Sequence, residues 1–133
     1  MTDVVIIDNG GANIASLRHA LQRLGATSHL TDDPREIRAG RRVILPGVGA
    51  ADDAMHRLRV LELVELIPTL GQPVLGICLG MQLLFAESEE GPDGESTACL
   101  GIISERVGRF GVRPDLPVPH MGWNQLRPVG SSP

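Results

Sequence analysis

Three uninterrupted apolar runs, each ending at a turn-forming stretch, constrain this chain more than any other feature. They are Val4-Val5-Ile6-Ile7, Val43-Ile44-Leu45 and Pro73-Val74-Leu75-Gly76-Ile77. A strand with one wet face alternates apolar and polar side chains. These runs do not, so each is expected to be covered on both faces, as in a parallel sheet between helices. Helical stripes lie between them. Ile14, Leu17, Leu21 and Leu24 recur at helical spacing before Gly25, a natural C′ stop. Ala54, Met55, Leu58 and Leu61 repeat that spacing and run on towards Leu66, with a stop near Pro68. Ser28-His29-Leu30 is a short peripheral strand, and Leu79 to about Ala86 continues the third run as a helix. Strands alternating with helices predict an α/β fold with an open, mostly parallel sheet.

Beyond Glu87 the texture changes. Ser88 to Thr97 is acidic and holds Gly91, Pro92 and Gly94, so a surface loop is expected there. Ile102-Ile103 and Arg106 to Phe110 suit short strands in an antiparallel pair, and Pro114, Pro117 and Pro119 hold an extended connection. The 133 residues carry no internal repeat and are expected to form one domain.

Composition removes whole classes of function. The formal net charge is −4, which gives no basic footprint for a nucleic-acid backbone. All 12 cationic residues are arginine, so there is no P-loop lysine and no Schiff-base lysine. Tyrosine is absent, and Phe85, Phe110 and Trp123 are the only aromatic residues, too few for base-stacking platforms. Cys78 and Cys99 cannot form a disulfide framework, and their spacing with His19, His29, His56 and His120 matches no zinc module. Met1-Thr2-Asp3 leads into a strand without the charged and apolar regions of a signal peptide, and no stretch suits a membrane helix. The expected setting is cytoplasmic with reduced thiols.

Gly76-Ile77-Cys78-Leu79-Gly80 stands where an apolar run meets a helix. A nucleophile on such a strand-to-helix elbow needs small neighbours, because the turn is sharp and closely packed. The exposed N–H groups at the helix start favour a thiolate, and the N–H of Leu79 is directed to where an acyl oxyanion develops. A buried structural cysteine is the bland alternative, and the two flanking glycines in this context argue against it. Leu45-Pro46-Gly47-Val48-Gly49-Ala50 follows another parallel strand, whose end should lie beside Cys78. Its backbone is a candidate second oxyanion donor, the alternative being an ordinary turn. Asp52 occupies the place of the last glycine in a dinucleotide fingerprint, so no nucleotide site is inferred.

These segments resemble the class I (triad) glutamine amidotransferases and, within them, the glutaminase subunits of imidazole glycerol phosphate synthase. The resemblance covers Asp8 to Gly25, Ile44 to Arg59, Pro73 to Gly91 and Pro119 to Leu126. The elbow through Met81-Gln82 is shared by the whole superfamily. Pro46-Gly47-Val48-Gly49 and Pro119-His120-Met121-Gly122-Trp123-Asn124 narrow it to these subunits. The resemblance implies a flavodoxin-like fold and hydrolysis of glutamine to glutamate and ammonia through a Cys78 thioester, without a cofactor or metal. It implies a (β/α)8 cyclase partner that receives the ammonia for histidine biosynthesis. It also implies roles for single residues: Gly49, Val48 and Leu79 around the oxyanion, Gln82 and Glu90 at the substrate's polar end, Asn13 and Trp123 facing the partner. On residue pattern alone Gln82 equally suits a solvated helix face, and Glu90 equally suits a loop where Glu87, Glu89, Asp93 and Glu95 face water. Trp123 suits either a core position or an interface.

The chain departs from the family in one respect. The triad's His and Glu belong to a His-Pro-Glu segment, and none of the four histidines here precedes Pro-Glu. His19 and His56 are expected on helix surfaces, and His120 matches a position outside the triad. The expectation is a C-terminally truncated amidotransferase domain without turnover. Two rivals remain: a pseudo-glutaminase that only binds a partner, and another cysteine-elbow hydrolase on a flavodoxin-like fold.

Overall fold

The structure, a computed structural model, describes residues 3–91 and 94–131. Expectations about Met1 and Thr2, about Pro92 and Asp93 in the acidic stretch, and about Ser132 and Pro133 lie outside the described residues. Four strands, β1 (Val4–Ile7), β2 (Ser28–Thr31), β3 (Val43–Gly47) and β4 (Val74–Cys78), form a parallel sheet in the order β2-β1-β3-β4. The central runs are apolar throughout because both faces are covered. Val4, Ile6 and Ile44 pack with Ile14, Leu17 and Leu21 of α1 (Ile14–Arg23). Val5, Ile7, Val43 and Leu45 turn the other way, onto Ile37 of α2 (Pro34–Ala39) and Ala54, Met55 and Leu58 of α3 (Ala51–Val60). The predicted α/β architecture is the observed one.

Helix ends follow local chemistry. The N–H of Gly25, at φ +73°, donates to the Gln22 carbonyl and that of Ala26 to Leu21, both at 3.0 Å, so α1 closes in a Schellman motif. The same motif shortens α3 relative to the sequence expectation. Glu62 adopts φ 58°, its N–H bonds the Arg59 carbonyl, and Leu63 bonds Leu58. Leu58 and Leu63 are both fully buried, and their contact favours stopping here over running on to Leu66. Pro68 lies instead in a short 3-10 turn, Ile67–Thr69. Helix α2 was not expected from the pattern. It spans six residues with one buried position, Ile37, and is started by Asp33, whose carboxylate accepts the Arg35 N–H at 2.8 Å ahead of Pro34.

Four further expectations are corrected. The helix after Cys78 covers only Leu79–Gln82 (α4), because the carbonyls of Leu83, Leu84 and Phe85 accept N–H groups from Leu100, Ile103 and Gly101. The chain then extends as β5 (Phe85–Ser88), the central strand of a second sheet with β6 (Thr97–Ala98) and β7 (Ile103–Val107). Ser88 therefore ends a strand and is fully buried rather than opening a loop. Residues 102–110 give one strand, β7, parallel to β5 and not antiparallel. The buried reading of β4 also fails. It is the sheet's edge among the described residues, and Leu75 is 58% exposed. Past Val107, residues 108–131 are exposed throughout and form no helix or strand. The extended connection expected from the prolines is interrupted at Pro114, which lies in a turn closed by an antiparallel bridge between Arg113 and Leu116.

Candidate active site

Parallel pairing of β3 with β4 sets Gly47 opposite Cys78, so two strand ends meet at one edge. Cys78 is exposed and adopts φ 54°, ψ −122°, a corner that glycine normally fills in a type II′ turn. Holding a side chain there costs of order 1–3 kcal/mol, and such strain is found where function needs the side chain displayed. The neighbouring glycines are required by packing. A Cβ on Gly80 would stand 1.9 Å from the Leu45 carbonyl oxygen, one on Gly47 2.6 Å from the Gly80 nitrogen, and one on Gly76 2.5 Å from the Met81 Cα. The flanking pair of the elbow motif is thus explained. Gly47 is a third contributor, which the sequence suggested only as a loop residue.

The loop after β3 begins at this corner, where Gly47 is in register with Cys78. Pro46 is buried, Val48 is 44% exposed, and Gly49 has φ +87° with open space around it. Asn9, at the end of β1, is buried and donates from Nδ2 to the Pro46 carbonyl at 2.9 Å, while its Oδ1 has no partner. The Arg57 Nε of α3 donates to the Asn9 carbonyl. A Cβ placed on Gly11 would touch Val48 at 3.5 Å. Asn9 and Arg57 thus brace the two loops, and neither was singled out from sequence. Asn9 and Gly10 form the turn-forming stretch that ends the first apolar run, and burial of the asparagine is a tertiary fact.

Gln82 and Glu90, expected together at one end of the site, are neighbours. Gln82 Nε2 donates to Glu90 Oε2 at 3.4 Å, and Ser88 Oγ donates to Gln82 Oε1 at 3.0 Å. The Glu90 N–H donates to Ser88 Oγ at 3.1 Å, and the Ala51 N–H at the start of α3 donates to the Glu90 carbonyl at 2.7 Å. Gln82 is thus half-buried and tied to Ser88 rather than lying on a solvated helix face, while Glu90 stays exposed in its loop. Glu87 and Glu89 do not simply face water either: they lie 3.8 and 3.7 Å from Arg106 of β7. Glu95 is exposed.

Other residues lie apart. Asn13 caps α1, its side chain accepting the Ser16 N–H at 3.2 Å. Trp123 is fully exposed in the irregular C-terminal segment and packs on no other part of the described chain. Cys99 is half-buried, and burial pushes its thiol above the ordinary value, partly countered by Arg59. His19, His56 and His120 are exposed, His29 pairs with Glu36 at 3.0 Å, and no histidine is hydrogen-bonded to Cys78 among the described residues. Among those residues no group of three or more His, Cys, Asp and Glu could hold a metal ion, and no helix is long and apolar enough to cross a membrane.

The chain is similar to known proteins. The family model for glutamine amidotransferase class-I matches residues 5–129. The imidazole glycerol phosphate synthase subunit HisH of Xylella fastidiosa (strain Temecula1 / ATCC 700964) is 52% identical over 133 residues, covering 100% of this chain and 64% of its own. The subunit of the same name from Xanthomonas axonopodis pv. citri (strain 306) is 53% identical over 133 residues, covering 99% and 64%. The chain thus spans 64% of the length of these relatives. A crystal structure of a glutamine amidotransferase has the same fold, with TM-score 0.60 at 20% identity over 74% of this chain and 52% of that one. With its elbow, its glycine loop and a match along almost its whole length, the chain belongs to the class-I glutamine amidotransferase family.

Proposed function

We propose that residues 1–133 form the nucleophile-bearing portion of a glutamine amidotransferase domain, which releases ammonia from glutamine for a (β/α)8 cyclase subunit in imidazole glycerol phosphate synthesis. The observation that carries the chemistry is the strained, exposed Cys78 set in register with Gly47. The cyclase assignment is supported by relatives at 52% and 53% identity that bear that synthase's name.

In this reading the Cys78 thiolate attacks the side-chain amide carbon of glutamine. The C=O electron pair moves onto oxygen, where the Leu79 N–H and the Val48–Gly49 backbone receive it. Collapse breaks the C–N bond, ammonia leaves with a proton, and water cleaves the γ-glutamyl thioester to glutamate and free thiol. Gln82 and Glu90 hold the amino-acid end of the substrate. Asn13 and Trp123 face the cyclase in a cytoplasmic heterodimer. The chemistry uses no cofactor.

Proton transfer from thiol to leaving nitrogen needs a base that then acts as an acid. Since no histidine is hydrogen-bonded to Cys78 among the described residues, the 133-residue chain is expected to form the covalent adduct without steady-state turnover. The test is labelling by a diazoketone analogue of L-glutamine. Cys78 should be modified and protected by L-glutamine, Cys99 should stay free, and ammonia release should equal that of Cys78→Ser. Labelling by a methylglyoxal-like aldehyde in place of the glutamine analogue would transfer the site to another cysteine-elbow hydrolase.

A further inference from the structure

We infer that Ser88 is a positioning residue that fixes the glutamine-binding face of the site by locking the orientation of the Gln82 carboxamide; this rests on the glutaminase reading above. A glutamine side chain turned by 180° exchanges a donor for an acceptor with little change in shape. Which end faces the substrate is therefore a matter of its partners. Here both ends are held. Ser88 Oγ is occupied on one side by the Glu90 N–H at 3.1 Å, and its own proton goes to Gln82 Oε1 at 3.0 Å. That leaves Gln82 Nε2 pointing at the Glu90 carboxylate, 3.4 Å away. The reversed amide would set Oε1 against that carboxylate, acceptor against acceptor.

The hub of this ring is sheltered. Ser88 is fully buried at the end of β5, paired with Thr97 of β6 on one side and Val107 of β7 on the other. Its hydroxyl therefore cannot exchange Gln82 for water. Gln82 is half-buried and Glu90 is exposed, so solvent and substrate meet those two and not the serine. The outward face offers an amide N–H beside a carboxylate with free lone pairs. That pair complements the carboxylate and ammonium of a free α-amino acid. The β5–β7 sheet thereby sets substrate recognition, while the β3–β4 edge sets the nucleophile.

The experiment compares two probes of Cys78 in the 133-residue chain: the diazoketone analogue of L-glutamine, and iodoacetamide, which has no amino-acid end. Ser88→Ala should lower the ratio of the two labelling rates about tenfold and leave the iodoacetamide rate within twofold of wild type. The second rate also reports that the elbow is folded. In a Gln82→Leu background the same Ser88→Ala change should have less than a twofold effect, because the group it orients is gone. The side-chain amide resonances of Gln82 should move towards free-glutamine positions in Ser88→Ala. Unmoved resonances, an unchanged rate ratio, or a full tenfold loss in the Gln82→Leu background would each overturn the assignment. A wild type without preference for the amino-acid probe would overturn the glutaminase reading instead, and the Gln82 resonances would still test the hydrogen bond by themselves.

Discussion

Replacing Gly80 by alanine sets two physical effects against each other with opposite signs. Gly80 lies in α4, where helix propensity alone favours alanine by about 1 kcal/mol. The structure forbids the exchange. The new methyl would stand 1.9 Å from the Leu45 carbonyl oxygen, with Leu45 and Pro46 carbonyl carbons at 2.7 and 3.0 Å. A carbon and an oxygen rest no closer than about 3.3 Å, so β3 and α4 must part by about 1.4 Å. The obstacle is backbone, which no rotamer change relieves, and Leu45 and Leu79 on either side are fully buried. Overpacking of this kind costs about 3 kcal/mol, leaving a net loss of about 2 kcal/mol after the propensity gain. Two other glycines serve as controls. Gly49→Ala meets open space but must hold φ +87°, a loss of about 1 kcal/mol. Gly71→Ala meets open space without a left-handed φ and should gain about 0.5 kcal/mol through the unfolded chain. Urea denaturation followed by far-ultraviolet circular dichroism ranks the three. If Gly80→Ala is as stable as wild type, or if Gly49→Ala is the more damaging, the packing argument at the elbow is wrong.

Trp123→Ala should weaken association with a cyclase partner by about 2 kcal/mol in calorimetric titration while leaving the urea midpoint unchanged, since the side chain packs on nothing in the chain. Asn13→Ala should lower stability by about 1 kcal/mol even without a partner, through loss of the α1 cap, so its interface effect is read only after that control. Acid should destabilise the fold through three carboxylates. The Thr27 backbone and hydroxyl hold Asp3 below its ordinary 3.8, the Arg35 side chain does the same for Asp33, and the Thr31 hydroxyl then His29 lower Glu36 from 4.5. Because the folded values are depressed, the unfolded chain binds more protons between the two, and stability rises with pH there. The contribution is complete above about pH 4.5 and is lost as pH falls through the folded values. A melting temperature constant from pH 5 to pH 2.5 would contradict this, and Glu36→Gln should flatten the upper part of the decline.

The βα units were legible because their signals are local. Val4–Ile7 and Val43–Leu45 show their double-sided burial in composition, and Gly25 marks its helix end by the backbone it must adopt. The elbow was legible for the same reason, since Gly76 and Gly80 record a steric demand directly in sequence. The segment after Gln82 misled because Leu83, Leu84 and Ala86 are good helix formers. What makes it a strand is pairing with residues near Cys99 and Ile103, which no local window contains. Ser88 was hidden by its charged neighbours. A period-2 reading would have placed it inside, with Glu87 and Glu89 turned outward to Arg106. The exposure of Leu75 follows from sheet order, a property that the strand itself does not encode.

The single tryptophan has a spectroscopic consequence. With tyrosine absent and Trp123 fully outside the core, the ultraviolet emission of this chain comes from a side chain that folding does not shelter. Its spectrum should resemble that of an indole in water in both native and unfolded chains. Any blue shift then has one origin: something outside the fold has closed over the ring. The protein thus carries a built-in optical probe of association, one that is blind to its own unfolding.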